Sequence, residues 1–202
     1  MRKKEFLIVF SVLIVSCFTI QSQNSNFEFQ NEEKIESFLV ENQLEFNRED
    51  LVIFKNFEAF LKFNNDGYLI GPVVHVFDKD GLYLEYIKIS DIIDKLSNFK
   101  KIRNKPKKDA IHIDSWFNDL VNYKTLQPLQ KTENNDYYFV LSWAKFFNKS
   151  KNMDALFKWY KVLQRQKIKG ENIQIVLLNM DFQDYWELSP EKKEDLLKQA
   201  NK

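Results

Sequence analysis

The sequence predicts a single α/β domain built on one mixed β-sheet flanked by helices, with an export signal ahead of it. Three observations predict this. The last third reads as strand, helix, strand: "YYFVLSW" at 137–143, an amphipathic stretch at about 153–167, and "IQIVLLNMD" at 173–181. A crossover of that length sets its two strands parallel. Earlier, "PVVHVF", "DKDG" and "LYLEYI" (72–87) place two runs of β-formers on either side of a turn, which is the signal of an antiparallel hairpin. The composition supplies the core: 44% of 202 residues are hydrophobic, with 19 Phe, 8 Tyr and 4 Trp, and only 4 Gly and 4 Pro argue against a low-complexity chain.

The elements follow in order. Residues 1–22, "MRKKEFLIVFSVLIVSCFTIQS", have a basic start and an apolar run too short for a stable membrane span, the pattern of a bacterial secretory signal. Two cleavage modes fit it. "IVSC" (14–17) resembles a lipobox that would leave Cys17 as a lipidated N-terminus, and ordinary cleavage would fall after Ser22. Under either mode the mature chain, residues 23–202 after ordinary cleavage, has no free thiol and no disulfide, because Cys17, the only cysteine, is removed with the signal or blocked by lipid. Without residues 1–22 there remain 27 basic and 28 acidic side chains, a balance that gives no whole-molecule attraction to nucleic acid.

Residues 23–31 read as a polar leader. Ile35, Phe38 and Leu39 share a helical face within 32–43. "LVIFK" (51–55) is a short apolar strand and "FEAFLKF" (57–63) one or two helical turns. After the hairpin, Ser90 is placed to cap a helix carrying Ile92, Ile93 and Leu96. "KKIRNKPKK" (100–108) has six basic residues in nine, and Pro106 stops a helix there. It reads as a solvated connector, or else as a patch for anionic lipid or polysaccharide. "DSWFNDLVNY" spaces Trp116, Leu120 and Tyr123 for a short helix. The helix near 153–167 aligns Met153, Leu156, Phe157, Tyr160 and Leu163, and Ser189 with Pro190 opens a terminal helix.

"YYFVLSWAKFFNKS", the helix after it and "IQIVLLNMD" resemble the βαβ core of thioredoxin-like proteins. In that family the strand ends in Trp-Ala-x-x-Cys-x-x-Cys and the next strand often ends in Asp. Trp143, Ala144 and Asp181 match, whereas Phe147 and Ser150 occupy the cysteine positions. "GYLIGPVVHVFDKDGLYLEYI" (67–87) resembles the family's other signature, which makes Pro72 the counterpart of its cis-proline. The hairpin precedes the Trp-Ala strand here, so the resemblance implies a thioredoxin-like sheet with permuted element order. It also implies a binding groove lined by Trp143, Lys145, Phe146, Phe147, Ser150 and Pro72.

A thiol oxidoreductase needs a thiolate at a helix N-terminus, and neither Phe147 nor Ser150 provides one. No spacing indicates a metal site or a cofactor: His75 sits in an apolar strand, "DKDG" lacks the rest of a calcium loop, and no phosphate loop or nucleophile elbow is present. The reading that follows is a non-catalytic thioredoxin-like protein of the cell envelope, periplasmic, secreted or lipid-anchored, that acts by binding a protein or ligand. An envelope hydrolase with a small site at His112, Asp109 and Asp114 is the alternative enzyme reading, and a structural subunit of an envelope assembly is a third. For export, the expected outcome is a mature N-terminus at Gln23 or a lipidated Cys17, read by N-terminal sequencing and palmitate labelling. An intact Met1 chain recovered from the cytoplasm would remove both.

Overall fold

The computed structural model describes residues 27–69, 71–87, 91–103, 105–145 and 151–201. The expected export signal with Cys17, the expected cap Ser90, and Phe146, Phe147 and Ser150 lie outside the described residues. The described elements, in order, are α1 (Glu32–Glu41), β1 (Leu51–Phe54), α2 (Phe57–Asn65), β2 (Val73–Asp78), β3 (Tyr83–Ile87), α3 (Ile92–Ser97), a 3-10 turn (Phe99–Lys101) and α4 (Asp114–Phe117). They continue with β4 (Leu120–Asn122), β5 (Tyr137–Trp143), α5 (Lys151–Ile168), β6 (Ile173–Asn179) and α6 (Pro190–Ala200).

The six strands form one mixed sheet in the order β3-β2-β5-β6-β1-β4. β5 and β6 are parallel neighbours in register from Tyr137↔Ile173 to Trp143↔Asn179. β6 is also parallel to β1, while β2 runs antiparallel to both β5 and β3. The hairpin and the βαβ unit therefore share one sheet, as the sequence predicts.

Alternation along β5 explains the layering, because successive side chains leave opposite faces. Phe139, Leu141 and Trp143 enter one core layer with Ile35, Phe38 and Leu39 of α1, Leu96 of α3, and Met153, Leu156, Phe157, Tyr160 and Leu163 of α5. Trp159, which the helical spacing did not single out, is buried there too. Tyr138 and Val140 enter the opposite layer with Phe57, Phe60 and Phe63 of α2, Trp116, and Leu196 of α6. Asn31, Asn56 and Ser189 cap α1, α2 and α6 through their side-chain oxygens.

Three expectations need correction. Leu120–Asn122 is a strand and not part of a helix, paired antiparallel with β1 through Ile53↔Val121. Helical spacing of Trp116, Leu120 and Tyr123 is real, but the otherwise open edge of β1 offers backbone hydrogen bonds to the chain after Asn118, and the strand takes them. Ile93 is 51% exposed, although it sits beside buried Ile92. The polar leader also contributes to the core: Phe27, Phe29 and Gln30 are buried, and the Gln30 amide donates to the Phe182 carbonyl at 2.7 Å.

The β2–β3 turn depends on Gly81, whose φ is +84°. Asp78 organises the turn by accepting from the Asp80 and Leu82 amides at 3.0 and 2.8 Å. A Cβ on Gly81 would lie 2.9 Å from both His112 Nε2 and Ile113 Cγ2. Gly67 also has positive φ, +78°, but a Cβ there meets nothing within 4 Å. Urea denaturation should therefore find Gly81→Ala destabilised by about 1–3 kcal/mol, clearly more than Gly67→Ala. Equal losses at the two glycines would show that the His112 contact is unimportant.

Candidate functional site

The corner where β5 ends is the place that the sequence marks for function. The Trp143 carbonyl accepts from the Met180 amide at 2.7 Å, which carries the β5–β6 ladder one residue past the last strand pair. The Lys145 amide then donates to both carboxylate oxygens of Asp181, at 3.0 and 2.8 Å. Asp181 also accepts from Asn179 Nδ2 at 2.7 Å, and Gln183 Nε2 donates to Asn179 Oδ1 at 2.9 Å. These side chains are buried, so every such bond replaces one that water would otherwise supply. The carboxylate of Asp181 thus fixes the direction in which the chain leaves β5.

Above this network lies an ion pair. Lys145 Nζ meets Glu28 Oε1 at 2.8 Å, and Lys34 Nζ meets Glu28 Oε2 at 3.2 Å. The hydrogen bond from Lys145 is the main reason that the Glu28 carboxyl falls to about 2. Both partners are partly exposed, so the pair shapes the surface more than it stabilises the fold.

Two residues expected to line a groove here do not reach the surface. Trp143 is fully buried, stacked on Phe38 at 5.6 Å with Phe157 edge-on at 6.2 Å, and its indole Nε1 has no hydrogen-bond partner. Its position in the alternation of β5 directs it into the core beneath α1 and α5. Pro72 is buried as well, and no cis peptide bond occurs among the described residues, so the bond from Gly71 to Pro72 is not cis. Of the expected groove residues that are described, Lys145 alone reaches solvent.

Both histidines bond to neighbouring groups of the fold. His112 Nε2 lies 2.8 Å from the Asp80 carbonyl, and Nδ1 lies 3.2 Å from the Asp114 amide. The carbonyl can only accept, which assigns the neutral ring its proton on Nε2. The ring thereby links the β2–β3 turn, through Nε2, to the start of α4, through Nδ1. His112 Nδ1 also lies 3.2 Å from Asp114 Oδ2, and among the described residues no three His, Cys, Asp or Glu side chains converge as metal ligands.

His75 is completely buried, with Nδ1 3.1 Å from the Tyr83 hydroxyl and its ring edge-on to Trp116 at 4.9 Å. Its Nε2 has no partner. Nearby, a cavity of about 190 Å³ is lined by Phe54, Phe63, Tyr68 and Trp116, with Lys62 and Asp119 among its polar residues. Burial pushes the Asp119 carboxyl up, but hydrogen bonds from Lys55 and Lys62 outweigh it and hold the group low. Sequence spacing gave no sign of this cavity or of the Asn179–Asp181–Gln183 network, because their residues are scattered along the chain or too ordinary in type to mark a motif.

Comparison with known proteins gives no match to this chain, whether with protein-family models, curated proteins or solved structures.

Burial lowers the pKa of His75 from 6.5 to about 3. The unfolded chain binds this proton near 6.5 and the folded chain only near 3, so the stabilisation is complete above about 6.5. It is lost as pH falls between the two values, by up to about 1.4 kcal/mol per pH unit. Between pH 7.5 and 5, wild-type protein should lose about 1–2 kcal/mol more than His75→Phe in urea titrations. Parallel curves for the two proteins would place the ring in contact with water.

Proposed function

We propose that this protein is a non-catalytic, thioredoxin-like protein of the bacterial cell envelope that binds a protein or ligand at the corner after β5. The observation that carries this reading is the corner itself. A strand ending in Trp143-Ala144 leads into α5, and Asp181, at the end of the next parallel strand, holds the Lys145 amide with both oxygens. A scaffold of this kind orients whatever follows it, and function resides in the side chains placed there. The cysteine positions hold Phe147 and Ser150, and the only cysteine of the chain is Cys17, so thiol–disulfide exchange has no nucleophile at this corner.

The arrangement of the sheet supports the permuted thioredoxin-like reading. β2 of the hairpin lies antiparallel against β5 on the side opposite β6, although it precedes β5 in the chain. Cell-envelope location rests on residues 1–22 of the sequence. Binding would use the exposed part of Lys145 with the Glu28 ion pair beside it, and Trp143 would act from below as a rigid support.

Photo-crosslinking in intact cells tests the site. A photoreactive residue at Lys145 should capture a discrete partner, and one at Lys79 should not, because Lys79 lies in the turn beyond Asp78, which pairs with Tyr137 at the other end of β5. Equal capture at both positions would remove the corner from consideration. Insulin reduction by purified wild-type protein above a heat-killed control would overturn the non-catalytic reading.

A further inference from the structure

The cavity beside Trp116 has an aromatic wall and a charged mouth. Phe63 meets Trp116 edge-on at 4.6 Å, and Tyr68 meets Trp116 edge-on at 5.0 Å. Phe54 is tilted against Phe63 at 5.2 Å. These four rings line a space of about 190 Å³. A dry apolar cavity of roughly 150 Å³ admits benzene, so this one has room for a ring with a short chain. The lining residues Lys62, Asp66 and Ser115 are exposed, so the space opens to water on their side.

Most of the polar groups at this mouth are already engaged. Lys62 Nζ donates to Asp119 Oδ2 at 2.6 Å and to the Ser115 carbonyl at 3.4 Å. Lys55 Nζ meets Asp119 Oδ1 at 2.8 Å and the Asn118 carbonyl at 2.8 Å, so both oxygens of Asp119 are occupied. The Ser115 hydroxyl donates to the His112 carbonyl at 2.7 Å. The Asp66 carboxylate differs, because it has no hydrogen bond or ion pair with any described residue. Asp66 is also the C-cap of α2, where its amide donates to the Lys62 carbonyl. The peptide dipoles of a helix leave partial negative charge at that end, so the carboxylate and the helix end both favour a cation. Burial, and after it the Asp66 charge, push the pKa of the Tyr68 hydroxyl up, which sets the carboxylate within electrostatic reach of the aromatic wall.

We infer that this cavity binds a small organic cation, an aromatic ring carrying a primary ammonium on a short chain. The ring joins the edge-to-face cluster of Phe63, Tyr68 and Trp116, and the ammonium donates to the Asp66 carboxylate. An anion would have to compete with Asp119 for Lys62, and a neutral ring would leave Asp66 unpaired. Charge complementarity therefore decides for the cation. The inference does not depend on the reading of the β5 corner.

Titration of the full chain with phenethylammonium, followed by amide chemical shifts, tests it. The shifts should concentrate at Tyr68, Ser115 and Trp116. Phenethyl alcohol lacks the charge, butylammonium lacks the ring and phenylacetate inverts the charge, and each should bind more weakly by about fivefold or more. Asp66→Asn should remove the advantage of phenethylammonium over phenethyl alcohol, with the melting temperature unchanged. Asp66→Lys should make phenylacetate the preferred of the two ions. Four results would each overturn the inference: no shift at these three amides at millimolar phenethylammonium, equal binding of butylammonium, equal binding of phenylacetate by the wild type, or an advantage over phenethyl alcohol that survives Asp66→Asn.

Discussion

Strand β5 is the constraint on which the rest of the molecule depends. It pairs with β2 on one side and β6 on the other, and all but its first residue are buried. Both faces are covered, so neither can be polar, and "YYFVLSW" satisfies this with Ser142 as its one small hydroxyl. The Ser142 hydroxyl reaches the Val73 carbonyl at 3.4 Å. A one-residue slip of β5 would exchange the partners of both core layers at once. Its register is therefore set by packing in both core layers, and the Lys145 end of the strand inherits that constraint.

Several of the buried polar groups hold junctions between elements. Asp181 and Asn179 tie the end of β6 to the chain leaving β5. At the entry of β1, the Tyr160 hydroxyl donates to Asp50 Oδ2 at 2.7 Å and accepts from the Asn47 amide at 2.9 Å, linking it to α5. Burial raises the pKa of Asp50, since the carboxylate has left water and the tyrosine hydroxyl only partly replaces it. Each network spends desolvation to select one geometry, whereas apolar packing alone would tolerate several.

Legibility in the sequence followed periodicity. The hairpin carries β-formers about a turn, β5 and β6 are continuous apolar runs and α5 has a helical period, and all of them appear in the structure where the sequence predicts them. Leu120–Asn122 was misread because three residues are too few to separate the periods, and the edge of β1 that recruits them is remote in sequence. At the candidate site, Lys145 and Asp181 were visible through the Trp-Ala strand and its partner. Trp143 was visible too, but as a surface residue, since a tryptophan at a strand end does not reveal which face it takes. Glu28, Asn179 and Gln183 were not legible, because their roles come from contacts across the sheet.

The two ends of the described chain are clasped. The Phe27 amide donates to Asn201 Oδ1 at 2.7 Å, and Asn201 Nδ2 donates back to the Phe27 carbonyl at 3.3 Å. A few residues would be enough to join them and close the backbone into a ring, which could then be opened at some other exposed turn with the same core inside. Chains whose ends meet in this way tolerate such rotation of their linear order. For this architecture the order in which strands are written in the gene is a weak constraint, and their adjacency in the sheet is a strong one.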